Sequence, residues 1–137
     1  MKLWLDDVRK PPDDSWTWCR SAEDAIVFAR GHECEKWALD YDLGGRLAHY
    51  GAGPYDYAAP TGLAFIAAMA AEPLPARISI HSTNAGGVIE MIQALHTLAA
   101  RREQDIEIIV RPMRGRIMDK TPYYGDREAV LMEARTQ

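Results

Sequence analysis

Short apolar runs and helix-spaced apolar positions alternate along most of the chain. Residues 2–6 read as a strand whose Leu3, Trp4 and Leu5 run straight into Asp6 and Asp7. Pro11-Pro12 and Asp13-Asp14 cannot continue it, so residues 8–15 form a loop. Residues 16–20 alternate aromatic and small polar side chains as a second strand does. Ser21 then supplies an N-cap, with Glu23 and Asp24 in the first turn of a helix over 22–30 that Gly31 closes. A third strand over 36–42 takes its apolar part from Trp37, Ala38 and Leu39 and ends in Asp40-Tyr41-Asp42.

Glycine, proline, His49 and the tyrosines Tyr50, Tyr55 and Tyr57 fill residues 43–60, a composition that specifies turns and reads as a flexible flap. Thr61 is placed to cap a helix through 71, which Pro73 and Pro75 end before a fourth strand at 77–81. After a turn at 84–87, Ile89, Ile92, Leu95 and Leu98 recur at helical spacing across 88–102. Residues 106–110 make a fifth strand. Beyond Pro112 the pattern weakens: Arg114, Arg116 and Lys120 have few apolar neighbours until 129–134, which suggests a last short helix in an extension spanning 113–137. Strands followed by helices in this order predict an α/β domain of parallel strands joined by right-handed crossovers.

With 137 residues, 47% of them hydrophobic, the chain has the size of one domain over 1–137 and the means to bury its core. A net charge of -4 removes any general attraction to polyanions, which argues against sequence-independent binding of duplex nucleic acid. Cys19 and Cys34 are too few for a disulfide scaffold and are not spaced as a metal-binding pair, so both are expected as reduced thiols. No apolar run approaches the roughly twenty residues needed to cross a bilayer. The opening Met1-Lys2 followed by acids fits no signal peptide, and a cytoplasmic location with no membrane partner is expected.

In an open parallel sheet, ligands bind beyond the carboxyl ends of the strands. Here those ends carry Asp6 and Asp7, then Asp40 and Asp42, then His81, Ser82, Thr83 and Asn84, and lastly Arg111. Alternation along a strand predicts that Asp40 and Asp42 project to the same side. Converging carboxylates repel one another unless a cation compensates, and an oxygen-only set favours Mg2+ or Mn2+ over zinc. Such an ion recruits phosphate oxygens. Ser82, Thr83, Asn84 and the backbone amides of Ala85, Gly86 and Gly87 at a helix start form a natural anion cradle. His81 has the ordinary titration range of a general acid or base, and Arg111 the charge to neutralise phosphate. Trp4, Trp16, Trp18 and Trp37 sit on predicted strands and read as core rather than as base-stacking platforms. The arginines at 114 and 116 read as a solvated loop, and His49 and His96 carry no assigned chemistry.

Four segments in this order carry a likeness: LWLDDVRKPP at 3–12, LDYDLGG at 39–45, TG at 61–62 and HSTNAGGVIEM at 81–91. Over residues 2–112 the chain resembles the receiver-like superfamily, and more closely its cyclic-phosphate processing receiver branch. The resemblance implies a receiver-like (flavodoxin-like) fold, a single doubly wound sheet of five mainly parallel strands with the first crossover helix reduced to the Pro/Asp loop. It implies that Asp6 and Asp7 are the metal-binding acidic pair, that Asp40 or Asp42 is the strand-three acid, and that Ser82 is the hydroxyl position. Arg111-Pro112 stands where receivers carry Lys-Pro. That arginine, the missing helix, and His81 with Asn84 depart from signalling receivers. Tyr41 stands where the closer branch tends to have histidine, and Val88 where it tends to have arginine.

The expected function is that of a metal-dependent phosphoesterase acting on a cyclic phosphate, such as a cyclic nucleotide or a terminal 2',3'-cyclic phosphate. Asp6, Asp7, Asp40 and Asp42 would hold the ion. Asp7, Asp42 and His81 would serve the chemistry, and Ser82, Thr83, Asn84, Gly87 and Arg111 would hold the substrate. The partner is then a small phosphorylated ligand, a nucleotide in the first instance. Two alternatives use the same residues: a binding module that captures the ligand without turnover, and a receiver phosphorylated on Asp40 or Asp42.

Overall fold

The computed structural model describes residues 1–45, 51 and 53–111, together with the backbone of 130–134. Its elements are β1 (Lys2–Leu5), β2 (Trp16–Cys19), α1 (Ala22–Gly31), β3 (Lys36–Leu39), α2 (Gly62–Ala68), β4 (Arg77–His81), α3 (Ala85–Arg101), β5 (Ile106–Arg111) and β6 (Val130–Ala134). They form one sheet in the order β2-β1-β3-β4-β5-β6. The first five strands run parallel, as the sequence predicts, in the order of flavodoxin-like folds.

Ser21 caps α1 as expected, accepting from Asp24 N at 3.1 Å. The helix expected from 88 starts at Ala85 instead, inside the segment read as a turn, because Asn84 caps it by accepting from Gly87 N at 2.9 Å. Thr61 occupies the N-cap position of α2 without a side-chain cap bond, its hydroxyl being engaged by Tyr41. That helix stops at Ala68 rather than 71, and Glu72 N closes a turn onto Met69 O at 3.0 Å.

Leu3 and Leu5 of β1, Trp37 and Leu39 of β3, Ile78 and Ile80 of β4 and Ile106 and Ile108 of β5 share one core with Ala25, Phe65, Met91 and Leu95 from the three helices. The β1–β2 connection moves across the sheet in the opposite direction to the others, so right-handed crossing puts it on the other face. There the loop covers Trp4, whose Nε1 donates to Arg9 O at 2.7 Å. Trp4 and Trp37 are fully buried, in keeping with a core role, whereas Trp16 and Trp18 are only half-buried. Cys19 is buried and Cys34 half-buried, both as free thiols; burial pushes the Cys19 thiol up to about 12.

One expectation is overturned. The segment suggested as a last short helix is β6, which pairs antiparallel with β5, Ile108 opposite Met132 and Val110 opposite Val130. A helix of five or six residues is marginal by itself. Strand pairing instead satisfies the open edge that β5 would otherwise present. Pro112, Arg114, Arg116, Lys120, His49 and Tyr50 lie outside the described residues. No helix among the described residues is long and apolar enough to cross a membrane.

Candidate metal and phosphate site

The ladder carries β1 and β3 one residue past their ends. Asp6 N donates to Cys19 O at 3.1 Å and Asp40 N to Leu5 O at 2.9 Å, which fixes both acids at one rim of the sheet. Asp6, Asp7 and Asp40 are all buried, and each offers a carboxylate oxygen within 4.8 Å of the other two. Burial, with the charge of Asp6 adding to it, pushes the Asp7 carboxyl from its ordinary 3.8 to about 6. Burial, Asp6 and Asp7 together hold Asp40 well above the ordinary carboxylate range. Gly45 N donates to Asp7 Oδ2, while Asp7 Oδ1 is buried without a hydrogen-bond partner. Three carboxylates packed together, one of them with an unsatisfied buried oxygen, suit a divalent cation of the Mg2+ or Mn2+ type.

Asp42 does not join this group among the described residues. Regular strand ends at Leu39, so the alternation that would have aimed Asp40 and Asp42 the same way does not extend to residue 42. Its Oδ2 instead accepts from Asn84 Nδ2 at 3.2 Å. The turn after Asp40 is drawn tight by α2. Gly62 N donates to Tyr41 O at 2.9 Å, and a side chain at Gly62 would run into Asp40 O, which accounts for the TG pair.

His81 lies behind the rim. Its Nε2 is 3.1 Å from Asp6 Oδ2, its ring stacks on Trp4 with centroids 4.2 Å apart, and none of its surface is exposed. A general acid or base must come within hydrogen-bond reach of substrate, and buried His81 faces Asp6 and Trp4 instead.

The cradle is smaller than expected. Asn84 N donates to Ser82 Oγ at 3.1 Å, and Gly87 N is committed to Asn84 Oδ1. Gly87 is buried under the ring of Tyr41, whose hydroxyl donates to Glu90 Oε2 at 3.1 Å. The Gly87 amide is therefore spent on the cap and is no anion donor, a correction to the sequence reading. Ser82 is half-buried, and Thr83 and Gly86 are exposed at the same edge. Arg111 pairs with His81 in the ladder but lines a cavity of about 150 Å3 with Trp16, Lys36, Arg77 and Ser79. That face is the one opposite the helices, since Ile108 of the same strand points into the helix-side core.

Two residues with clear places here were not singled out from sequence. Arg9 is 2% exposed, and its charge opposes the upward pull on both Asp7 and Asp40. Its position two residues beyond an acidic pair, in a loop that must turn back, was the available signal. Gly45 supplies the amide to Asp7 and ends the LDYDLGG segment. From the flap, Tyr55 approaches the acids: burial, then the charge of Asp42, raises its phenol to about 12.

No curated protein and no solved structure gives a match. Residues 1–97, more than two thirds of the chain, match the family described as the cyclic-phosphate processing receiver domain. The match ends inside α3, so Arg111 and the last two strands lie beyond it. With the receiver order of the parallel strands and the acidic pair at the end of β1 both in place, the chain belongs to the cyclic-phosphate processing receiver domain family.

Proposed function

We propose that this domain is a metal-dependent phosphoesterase that opens a cyclic phosphate, with a small nucleotide as its substrate class. The observation that carries the reading is the convergence of the Asp6, Asp7 and Asp40 oxygens within 4.8 Å in a buried rim. Without a cation, burying them together is costly, as the raised carboxyls of Asp7 and Asp40 attest. These three acids would hold Mg2+ or Mn2+, which when bound supplies Lewis-acid polarisation of a phosphorus-bound oxygen and an acidified water.

The chain's own groups do the rest. Ser82 and Thr83, at the open edge beyond β4, donate to phosphate oxygens. Asn84 keeps the start of α3 in place and holds one oxygen of Asp42. Asp42, half-exposed and outside the cation group, accepts a proton from the water as its oxygen bonds to phosphorus, and that proton passes on to the ring oxygen released when one ring P–O bond breaks. Tyr55 of the flap stands close enough for the charges of Asp42, Asp7 and Asp40 to add to burial in raising its phenol, a place from which it can contact a bound ligand.

The burial of His81 favours a second reading, capture of the same ligand without turnover, because it takes the expected proton shuttle away from the substrate. A panel of cyclic nucleotides, including 2',3'-cyclic forms, assayed with Mg2+ and with chelator separates the two. Magnesium-dependent ring opening supports the esterase. Thermal stabilisation by ligand with no product supports the binding module. A phosphoryl group gained from a small phosphodonor and lost in Asp40→Asn would instead make the domain a phosphoacceptor.

A further inference from the structure

Behind the acidic rim four residues close a ring of contacts. Trp4 Nε1 donates to Arg9 O at 2.7 Å, and Arg9 N donates to Asp6 Oδ1 at 2.7 Å. Asp6 Oδ2 lies 3.1 Å from His81 Nε2, and the imidazole stacks on the Trp4 indole at 4.2 Å with planes 15° apart. None of the four is more than 2% exposed. Trp4 on β1 and His81 on β4 have β3 between them, and the β3 residue paired with Trp4 is Ala38, whose methyl leaves room for the indole to reach across.

Hydrogen bonding fixes how Asp6 is held. Its Oδ1 accepts from both Val8 N, at 2.9 Å, and Arg9 N, which fills the two lone-pair directions of that oxygen. The imidazole takes one direction on Oδ2 and leaves one. His81 Nδ1 is buried with no hydrogen-bond partner, so a proton there would be an orphaned donor. The network therefore assigns the ring proton to Nε2, which donates to Asp6.

We infer that His81, braced by Trp4, is the positioning residue for Asp6 and sets the affinity of the cation site. It acts through the carboxylate and never on substrate. A ring stacked flat on an indole cannot swing, so the one uncommitted direction of Asp6 Oδ2 is held in place beside Asp7 and Asp40. This inference rests on the cation-site reading proposed above, and Ser82, Thr83 and the flap play no part in it.

The test compares His81→Phe, which keeps a flat ring on Trp4 but removes the Nε2 donor, with His81→Gln, whose amide restores a donor. Titration with Mn2+ is expected to show affinity reduced about 10- to 100-fold in His81→Phe and recovered to within a few-fold of wild type in His81→Gln. In the metal-free protein, hydrogen exchange at the Val8 and Arg9 amides speeds up in His81→Phe while that at Gly45 does not. Should His81→Phe fail to fold, Trp4→Phe keeps a ring under the imidazole, removes the bond to Arg9 O, and is expected to weaken Mn2+ binding in the same direction. A His81→Phe protein that melts earlier yet binds Mn2+ as wild type, with unchanged Val8 and Arg9 exchange, overturns the inference. If the wild-type chain itself takes up no Mn2+, the cation reading fails, and the exchange comparison alone decides whether His81 positions Asp6.

Discussion

Asn84 ties Asp42 to the start of α3: one amide donates to Asp42 Oδ2 at 3.2 Å through Nδ2 and accepts from Gly87 N at 2.9 Å through Oδ1. The acid that alternation would send to the cation is thus fastened to a helix cap. A single side chain couples the third strand's end to the fourth's, and the coupling can be taken apart one bond at a time.

Replacing Asn84 with alanine removes both bonds and is expected to cost about 1–2 kcal/mol, the usual worth of an N-cap. Asn84→Asp keeps the cap acceptor but sets a second carboxylate against Asp42. Its loss should therefore shrink as added salt screens the repulsion between the two carboxylates. Urea unfolding of the two variants at low and at high salt checks this. Equal losses for Asn84→Asp at both salt concentrations would show that the Asp42 contact carries no weight.

Gly87 and Tyr41 make a second separable pair. A methyl at Gly87 would come within 3.0 Å of the Tyr41 ring. Alanine normally gains about 1 kcal/mol over glycine inside a helix, but overpacking costs about 1–3 kcal/mol, so Gly87→Ala is expected to destabilise. In a Tyr41→Ala background the clash is gone and the same change should stabilise. Opposite signs in the two backgrounds, read from denaturant midpoints, are the expected result. The same sign in both would mean that the ring is not seated over Gly87.

Much of this arrangement was legible in the sequence, and most of the failures share a cause. Leu3-Trp4-Leu5 followed by Asp6-Asp7 marks both a buried strand and the acids at its end, because the switch from apolar to charged side chains lies in the sequence itself. Ser21 is readable as a cap, since capping depends on neighbours three residues away, whereas Asn84 reads as part of a turn although its cap bond to Gly87 N is equally local. Most of what else escaped depends on partners distant in sequence. Nothing near His81 announces that Trp4 lies under it or that Asp6, 75 residues away, takes its Nε2. Asp42 was misplaced because period-two alternation was carried past Leu39, where the strand ends. The β6 segment was misread because its pairing partner, β5, is visible only in the folded sheet.

The three acids and Asp42 are expected to respond differently to neutral replacement. Asp7→Asn or Asp40→Asn removes a direct oxygen from the cluster and should weaken Mn2+ binding by more than about 100-fold, beyond the range of changes made one shell further out. Asp42→Asn should leave Mn2+ affinity within a few-fold of wild type while lowering turnover of a cyclic nucleotide. Isothermal titration with Mn2+ alone measures the first, and product formation at saturating metal the second. Loss of metal binding in Asp42→Asn comparable to that in Asp7→Asn would return Asp42 to the ligand set.

The raised acids give metal-free stability a definite slope with pH. Asp7 titrates near 6 in the folded chain against an ordinary 3.8, and Asp40 is displaced the same way, so between about pH 4 and 6 the folded state holds protons that the unfolded chain has released. Stability in chelator must therefore fall as pH rises through that window, because folding retains protons that become scarcer. For Asp7 alone the loss is on the order of 3 kcal/mol, at about 1.4 kcal/mol per unit of pKa displacement. A bound cation competes for the same carboxylates, so stabilisation by Mg2+ should be small near pH 5 and grow as pH rises through 6. Urea unfolding at pH 5 and pH 7, with Mg2+ and with chelator, reads both effects. In chelator the Asp7→Asn protein is expected to lose much of the downward slope and to be more stable than wild type at pH 7, since an amide carries no charge into the rim. Wild type and Asp7→Asn with the same pH profile would mean that the Asp7 carboxylate is not strained by its burial.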